Sequence, residues 1–327
     1  MLIRFFKNNN PSSYILIPLF AMVLWILGFF LDPGTTLKYN MPLYEILAKP
    51  LNNFHYLATL IAFILIVCEA FLLNYIVNEN EILTKPSFLP ALFYIVFMSN
   101  DSTLLMLHPL LFANFFLLLA INKIISSYRK DNAFSNAFDA GILLSLSTLF
   151  YFPCIVFLPI LGIGFILFRP FNWREWIISF IGILLPYSFV FTYYFWNNLL
   201  GDWLNIKMFF PDLPEHLKLN LSKSFYFMLS TSLLIILFSL WKVFAGFLEA
   251  SQKNKKGILL LLWFSAFAMV TVFLTRELSI RSYSALAIPA SVFCANYFLK
   301  VRRGWWGELL FLLMLFSIFI NHFSRYF

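Results

Sequence analysis

The long segments of this chain are apolar over about the thickness of a bilayer, and most polar residues fall in the short gaps between them. Such a pattern excludes a water-soluble fold. With 61% apolar residues, Phe alone supplying 43, fifteen acids and 23 bases cannot cover a globule of 327 residues. The expected fold is all-α: a polytopic integral membrane protein built as one domain over residues 1–327.

Apolar runs mark about eleven transmembrane helices, near residues 14–31, 57–76, 87–99, 104–125, 137–151, 153–168, 176–196, 224–246, 257–275, 284–299 and 306–321. Residues 137–168 form an unbroken apolar run that as one helix would be about 48 Å long, against a hydrocarbon core of about 30 Å. It is expected to turn back at Phe152 and Pro153. The run at 87–99 is short for a span, and if it failed to cross, every later loop would change sides. The first run follows Arg4 and Lys7, has spanning length and lacks a small-residue cleavage site, so it reads as a span and not as a signal peptide.

Orientation follows from the basic residues. With the amino terminus inside, the cytoplasmic gaps hold about fifteen Lys and Arg against eight outside, among them Arg129, Lys130, Arg169, Arg174, Lys253, Lys255 and Lys256. The net charge of +8 is then a topology signal, and no nucleic-acid partner is expected. Trp173, Trp176, Trp196, Trp305 and Trp306 fall at run ends, where an amphipathic ring prefers the interface. Cys68, Cys154 and Cys294 lie in separate runs without CxxC spacing and read as small core hydrophobes. Pro159 and Pro186, inside runs, are expected to kink their helices. No inverted repeat is visible, which weighs against a transporter or flippase, the third functional reading.

Under this topology all four histidines, His55, His108, His216 and His322, and most acids lie outside. The inner gaps carry no glycine-rich phosphate loop, so chemistry is expected to face outward. The first outer loop, 32–53, reads DPGTTLKYNMPLYEILAKPLNN. Its Asp32, Pro33 and Gly34 form a turn, and residues 41–51 place Leu43, Ile46 and Leu47 on one face of a short interfacial helix, with Glu45 pointing away. Asp32 or Glu45 is either a solvated charge or a base or ligand at the bilayer edge.

A second outer turn, Ser99, Asn100, Asp101 and Ser102, leads to His108 and Pro109. Asp101 suits a helix N-cap; Asp101 with His108 at the mouth of two spans leaves a divalent metal ion open as the alternative. The third segment, RELSIRSY at 276–283, sets Arg276 and Arg281 against the topology rule. Arg281 either holds a phosphate through its planar fork or snorkels, with Arg276 paired to an acid. The loop at 197–223 has the prolines and aromatic residues of an outer cap. Glu69 lies deep in a run, where a carboxyl is costly and needs a partner, a cavity or a proton. Asp139 and Glu308 sit near run ends.

This layout resembles the membrane-embedded GT-C glycosyltransferases, which take a sugar from a polyprenyl-phosphate donor. Asp32 and Glu45 match the acidic first loop, Asp101 the second outer turn, and Phe138, Ala140 and Gly141 through Leu144 the F-x-x-G-x-x-x-G entry to the fifth span. Arg281, Ser282 and Tyr283 through Pro289 match the late motif. First-loop acids paired as Asp-Glu or Asp-x-Asp in active members are absent as a pair, and Ser145 or Ser147 stands for the second glycine. The overall texture is also similar to multi-pass membrane proteins of Bacteroidota.

The resemblance implies a transferase at the outer face of a bacterial inner membrane, acting in envelope glycan assembly. Asp32 or Glu45 would be the catalytic base, Arg281 and Arg276 would bind donor phosphate, and Asp101, His108 and Tyr283 would assist, with a divalent metal as the one cofactor in question. Membrane lipid and a polyprenyl-phosphate sugar would be its partners. The competing reading is a non-catalytic subunit or scaffold that docks envelope proteins.

Overall fold

The computed structural model describes residues 2–8, 10–29, 41–51, 54–130, 132–199, 201, 223–247, 250–274, 280–301 and 304–324. These residues are all-helical, with no strand among them. The helices are α1 (Leu2–Lys7), α2 (Ser13–Trp25), α3 (Pro42–Leu51), α4 (His55–Glu79), α5 (Leu89–Met98), α6 (Pro109–Ile125), α7 (Phe134–Phe150), α8 (Pro159–Phe168), α9 (Trp173–Trp196), α10 (Lys223–Ala245), α11 (Gln252–Leu274), α12 (Ala287–Lys300) and α13 (Gly304–Phe323). Short 3-10 turns at Ile26–Phe29, Ser102–Leu105, Phe152–Phe157 and Ile280–Leu286 interrupt the series. Five helices, α4, α9, α10, α11 and α13, are long and apolar enough to cross a membrane. Shorter apolar helices pack among them.

Helix ends gather in two rims. At the first, Lys253 of α11 donates to the Glu79 carbonyl at the end of α4, Asn78 donates to the Ser87 carbonyl, and Phe88 N–H donates to Phe6 of α1. Lys256 and Arg129 both lie over the Tyr128 ring, 5.1 and 5.2 Å from its centroid. Arg169, just past α8, donates to the Ser127 carbonyl just past α6 and pairs with Glu175 of α9 at 3.0 Å. Lys123 and Asp139 pair at 2.7 Å between α6 and α7. These contacts make it the basic rim.

The same contacts locate the turn in the long apolar run. Because α7 leaves the basic rim and α8 returns to it at Arg169, the chain reverses between them, where Tyr151 is extended and Phe152–Phe157 coils tightly. Pro159 does not kink a helix. It starts α8, where its missing N–H would have no partner anyway. Pro186 is inside α9. Cys154 and Cys294 are buried, but Cys68 faces outward from α4, not into the core.

Close packing replaces the hydrophobic driving force that lipid cannot supply. Gly141 of α7 and Gly182 of α9 face each other so tightly that a methyl on either would meet a backbone carbonyl, of Ser179 or of Phe138. All ten residues of α5 are buried, with Phe93 packed between Phe298 of α12, at a tilt, and Phe311 of α13, edge to face. α9 and α10 instead expose Phe180, Leu184, Phe189, Leu237 and Trp241. These outward faces are apolar enough to meet lipid.

Candidate site at the rim opposite the basic one

Irregular backbone concentrates at the second rim. α5 rises only about 15 Å over its ten residues, and the chain that follows it from Ser99 to His108 holds no regular α-helix. Buried non-helical backbone must be satisfied by protein. It is. Trp25 Nε1–H donates to Ser99 Oγ at 3.1 Å, His322 Nε2–H to the Ser99 carbonyl at 2.9 Å, and Asn321 Nδ2–H to the Asn100 carbonyl at 3.0 Å. The last turn of α13 and the end of α2 therefore clasp the end of α5 from two sides.

Asp101 is fully buried, accepts from Thr103 N–H at 2.8 Å and lies 3.4 Å from Asn321 Nδ2. It caps the turn that follows it. His108, buried, precedes the first residue of α6 with extended backbone, the entry geometry that Pro109 demands. Tyr44 of α3 donates to the Leu107 carbonyl at 3.3 Å, which ties the interfacial helix to the same stretch. Pro42 is buried and Leu43 and Tyr44 of α3 pack against the core, Ile46 and Leu47 are exposed, and Glu45 is half-buried. The apolar face expected from Leu43, Ile46 and Leu47 is thus split, because the aromatic hydroxyl finds a carbonyl inside the bundle.

Three short turns meet here. Ser102–Leu105 packs against Ile26–Phe29 on one side and Ile280–Leu286 on the other. Gly28 permits the first contact, since a side chain there would crowd Leu105. Ile26–Phe29 ends three residues before Asp32, and Ile280–Leu286 carries Arg281 and Tyr283; Tyr283 is exposed. Asp32, Arg276 and the loop at 197–223, save for its first residues, lie outside the described residues, as does the side chain of Arg281. Glu45, Asp101, His108 and Tyr283 all fall on this rim or the turns that build it.

Among the described residues no three His, Cys, Asp or Glu side chains are grouped to hold a metal ion, so Asp101 and His108 gain no third ligand there. Sequence reasoning missed Trp25, Asn321, Tyr94 and Asn114. The last is an amide in the middle of an apolar run, a signal that was there to be read.

A bundle of apolar helices with buried irregular backbone and polar clasps at one rim defines a helical membrane protein with its candidate site at the end of the bundle. The family model for DUF6427, a family of unknown function, matches residues 37–327, and the chain belongs to that family. Neither a curated protein nor a solved structure matches it.

Proposed function

We propose that the chain crosses a bacterial cytoplasmic membrane eleven times, with its amino terminus and basic rim on the cytoplasmic side, and transfers a sugar from a polyprenyl-phosphate donor at the opposite, outer rim. The basic rim supports this orientation through the preference of Lys and Arg for the cytoplasm. The reading of the site rests on one observation: the turn leading to Asp32, the turn capped by Asp101 and the turn carrying Arg281 and Tyr283 pack together.

In this reading Asp32, or Glu45 on α3, takes the proton of the acceptor hydroxyl as it attacks the anomeric carbon. Arg281, with Arg276, offsets the charge that gathers on the departing phosphate. Asp101 is a positioning residue, since its carboxylate is spent on its own turn. His108 and Tyr283 line the approach.

Asp32→Asn and Arg281→Gln, each replacing the chromosomal copy, test the reaction. Lipid-linked sugars extracted from the cells are followed by mass spectrometry. Build-up of an unspent polyprenyl-phosphate sugar in both strains is expected. A wild-type lipid profile in both would remove the site and leave the docking role.

A further inference from the structure

The interior of the bundle holds a polar track that the proposed transfer does not use. Glu69 is on α4, about 21 Å along the helix from His55 and about 15 Å from Glu79, so it sits near the middle of the bundle. Its side chain is 0% exposed. Tyr94 of α5 donates to Glu69 Oε2 at 2.7 Å. The Asn114 side chain of α6 lies near enough to Tyr94 to influence its hydroxyl, and its Nδ2 lies 3.5 Å from Ser284 Oγ, in the turn at Ile280–Leu286. Four elements each place one polar side chain on a line from mid-bundle to the second rim. Tyr283, beside Ser284, is exposed there.

Two acceptors on this line, Glu69 Oε1 and Asn114 Oδ1, are buried without a hydrogen-bond partner. An orphaned carboxylate oxygen in a bundle interior is costly, and a countercharge is the usual remedy. Among the described residues, the elements packed on α4 supply none near it. α2, α5 and the turns Ile26–Phe29 and Ser102–Leu105 contain no Asp, Glu, Lys, Arg or His, their titratable groups being Tyr14 and Tyr94. Lys123 of α6 is held by Asp139 at the basic rim, and α3, with Tyr44 and Glu45, sits at the other rim. On α4 itself the remaining groups are His55, Tyr56, Cys68, Tyr75 and Glu79. Among the described residues, Tyr94 is the titratable group that touches the carboxyl.

We propose that Glu69 is a proton-binding site that exchanges with the outer rim along Tyr94, Asn114 and Ser284. The proton adds to a carboxylate oxygen and leaves again as a hydrated proton. Tyr94 keeps its own proton throughout and only orients Oε2. Water entering beside Asn114 Oδ1 carries the proton between the rim and Glu69, and no covalent bond to carbon changes.

The test uses the full chain in lipid nanodiscs and infrared spectroscopy of the carboxylic-acid carbonyl band. At neutral pH one such band is expected that disappears in Glu69→Gln, moves to higher frequency in Tyr94→Phe, where a hydrogen bond is lost, and shifts on transfer to D2O. Asn114→Leu is expected to slow that isotope shift by about tenfold or more, as closing an access route does. Should Glu69→Gln not fold, the Tyr94→Phe displacement assigns the band. The proposal falls if no acid band responds to either substitution, as when a bound Na⁺ or K⁺ neutralises a carboxylate and the carboxylate band tracks salt. It falls equally if exchange in Asn114→Leu keeps its wild-type rate, because the proton then enters elsewhere.

Discussion

The two rims solve the same problem, holding helix ends together, by opposite chemistry. At the basic rim charge does it: Arg169 with Glu175, Lys123 with Asp139, and two cations on the Tyr128 ring. At the second rim the clasp on Ser99 and Asn100 is made by the Trp25 indole, the Asn321 amide and the His322 imidazole, acting through hydrogen bonds on a hydroxyl and on backbone carbonyls. A charged clamp fixes how helices sit against each other, yet its groups are committed to one another. Hydrogen-bond clasps fix a backbone path while formal charge on neighbouring segments stays available for a substrate. In the proposed function the difference leaves stability to one rim and chemistry to the other.

The sharpest way to break that assignment is Glu175→Ala. Both partners of its pair with Arg169 are buried, with side chains 2% and 8% exposed, so removing the acid strands a guanidinium and should cost about 3–5 kcal/mol. Thermal unfolding in detergent would show it as a large loss of midpoint temperature; a change no larger than that of a surface variant would mean that the basic rim is not the clamp. Next comes Gly141→Ala, where the added methyl meets the Ser179 carbonyl and overpacking costs about 1–3 kcal/mol. Gly182→Ala should match it, and the double variant should cost less than the sum, since one displacement of α9 relieves both.

A smaller and more local effect is expected from His322→Ala. Loss of one hydrogen bond costs about 0.5–1.5 kcal/mol. Hydrogen exchange followed by mass spectrometry should speed up at residues 99–105 and stay unchanged around Ser127; a uniform rise would contradict the separation of the rims. The least effect belongs to Lys123→Ala. That pair is close, but its side chains are 41% and 35% exposed, and solvent screening limits its worth to about 0–1 kcal/mol. If Lys123→Ala proved as damaging as Glu175→Ala, burial would not be what separates the two ion pairs.

Much of this architecture was legible in the residues. Each apolar run holds a helix, the reversal near Phe152 follows from bilayer thickness, and residues 41–51 do form a short helix. Helix periodicity is local, and so it misses what depends on remote partners. Nothing near Ser99 announces that Trp25 and His322 will close on it, and Gly182 looked like any small residue until Gly141 lay against it. Glu69 stood out as a cost; its relief by Tyr94 did not, because tyrosine in an apolar run is ordinary. The candidate site was legible as segments, with Asp101 and the stretch of Arg281 expected on one side. The meeting of their turns is a tertiary fact.

The fully enclosed α5 carries a consequence for how the chain is made. Ten residues are half of what the insertion machinery normally recognises as a membrane segment, about twenty. Phe93 waits for Phe298 and Phe311, roughly 200 residues downstream, which at about 5–20 residues per second means some tens of seconds of synthesis. A nascent chain stopped before α12 would expose that helix without its neighbours and be a ready target for membrane quality control.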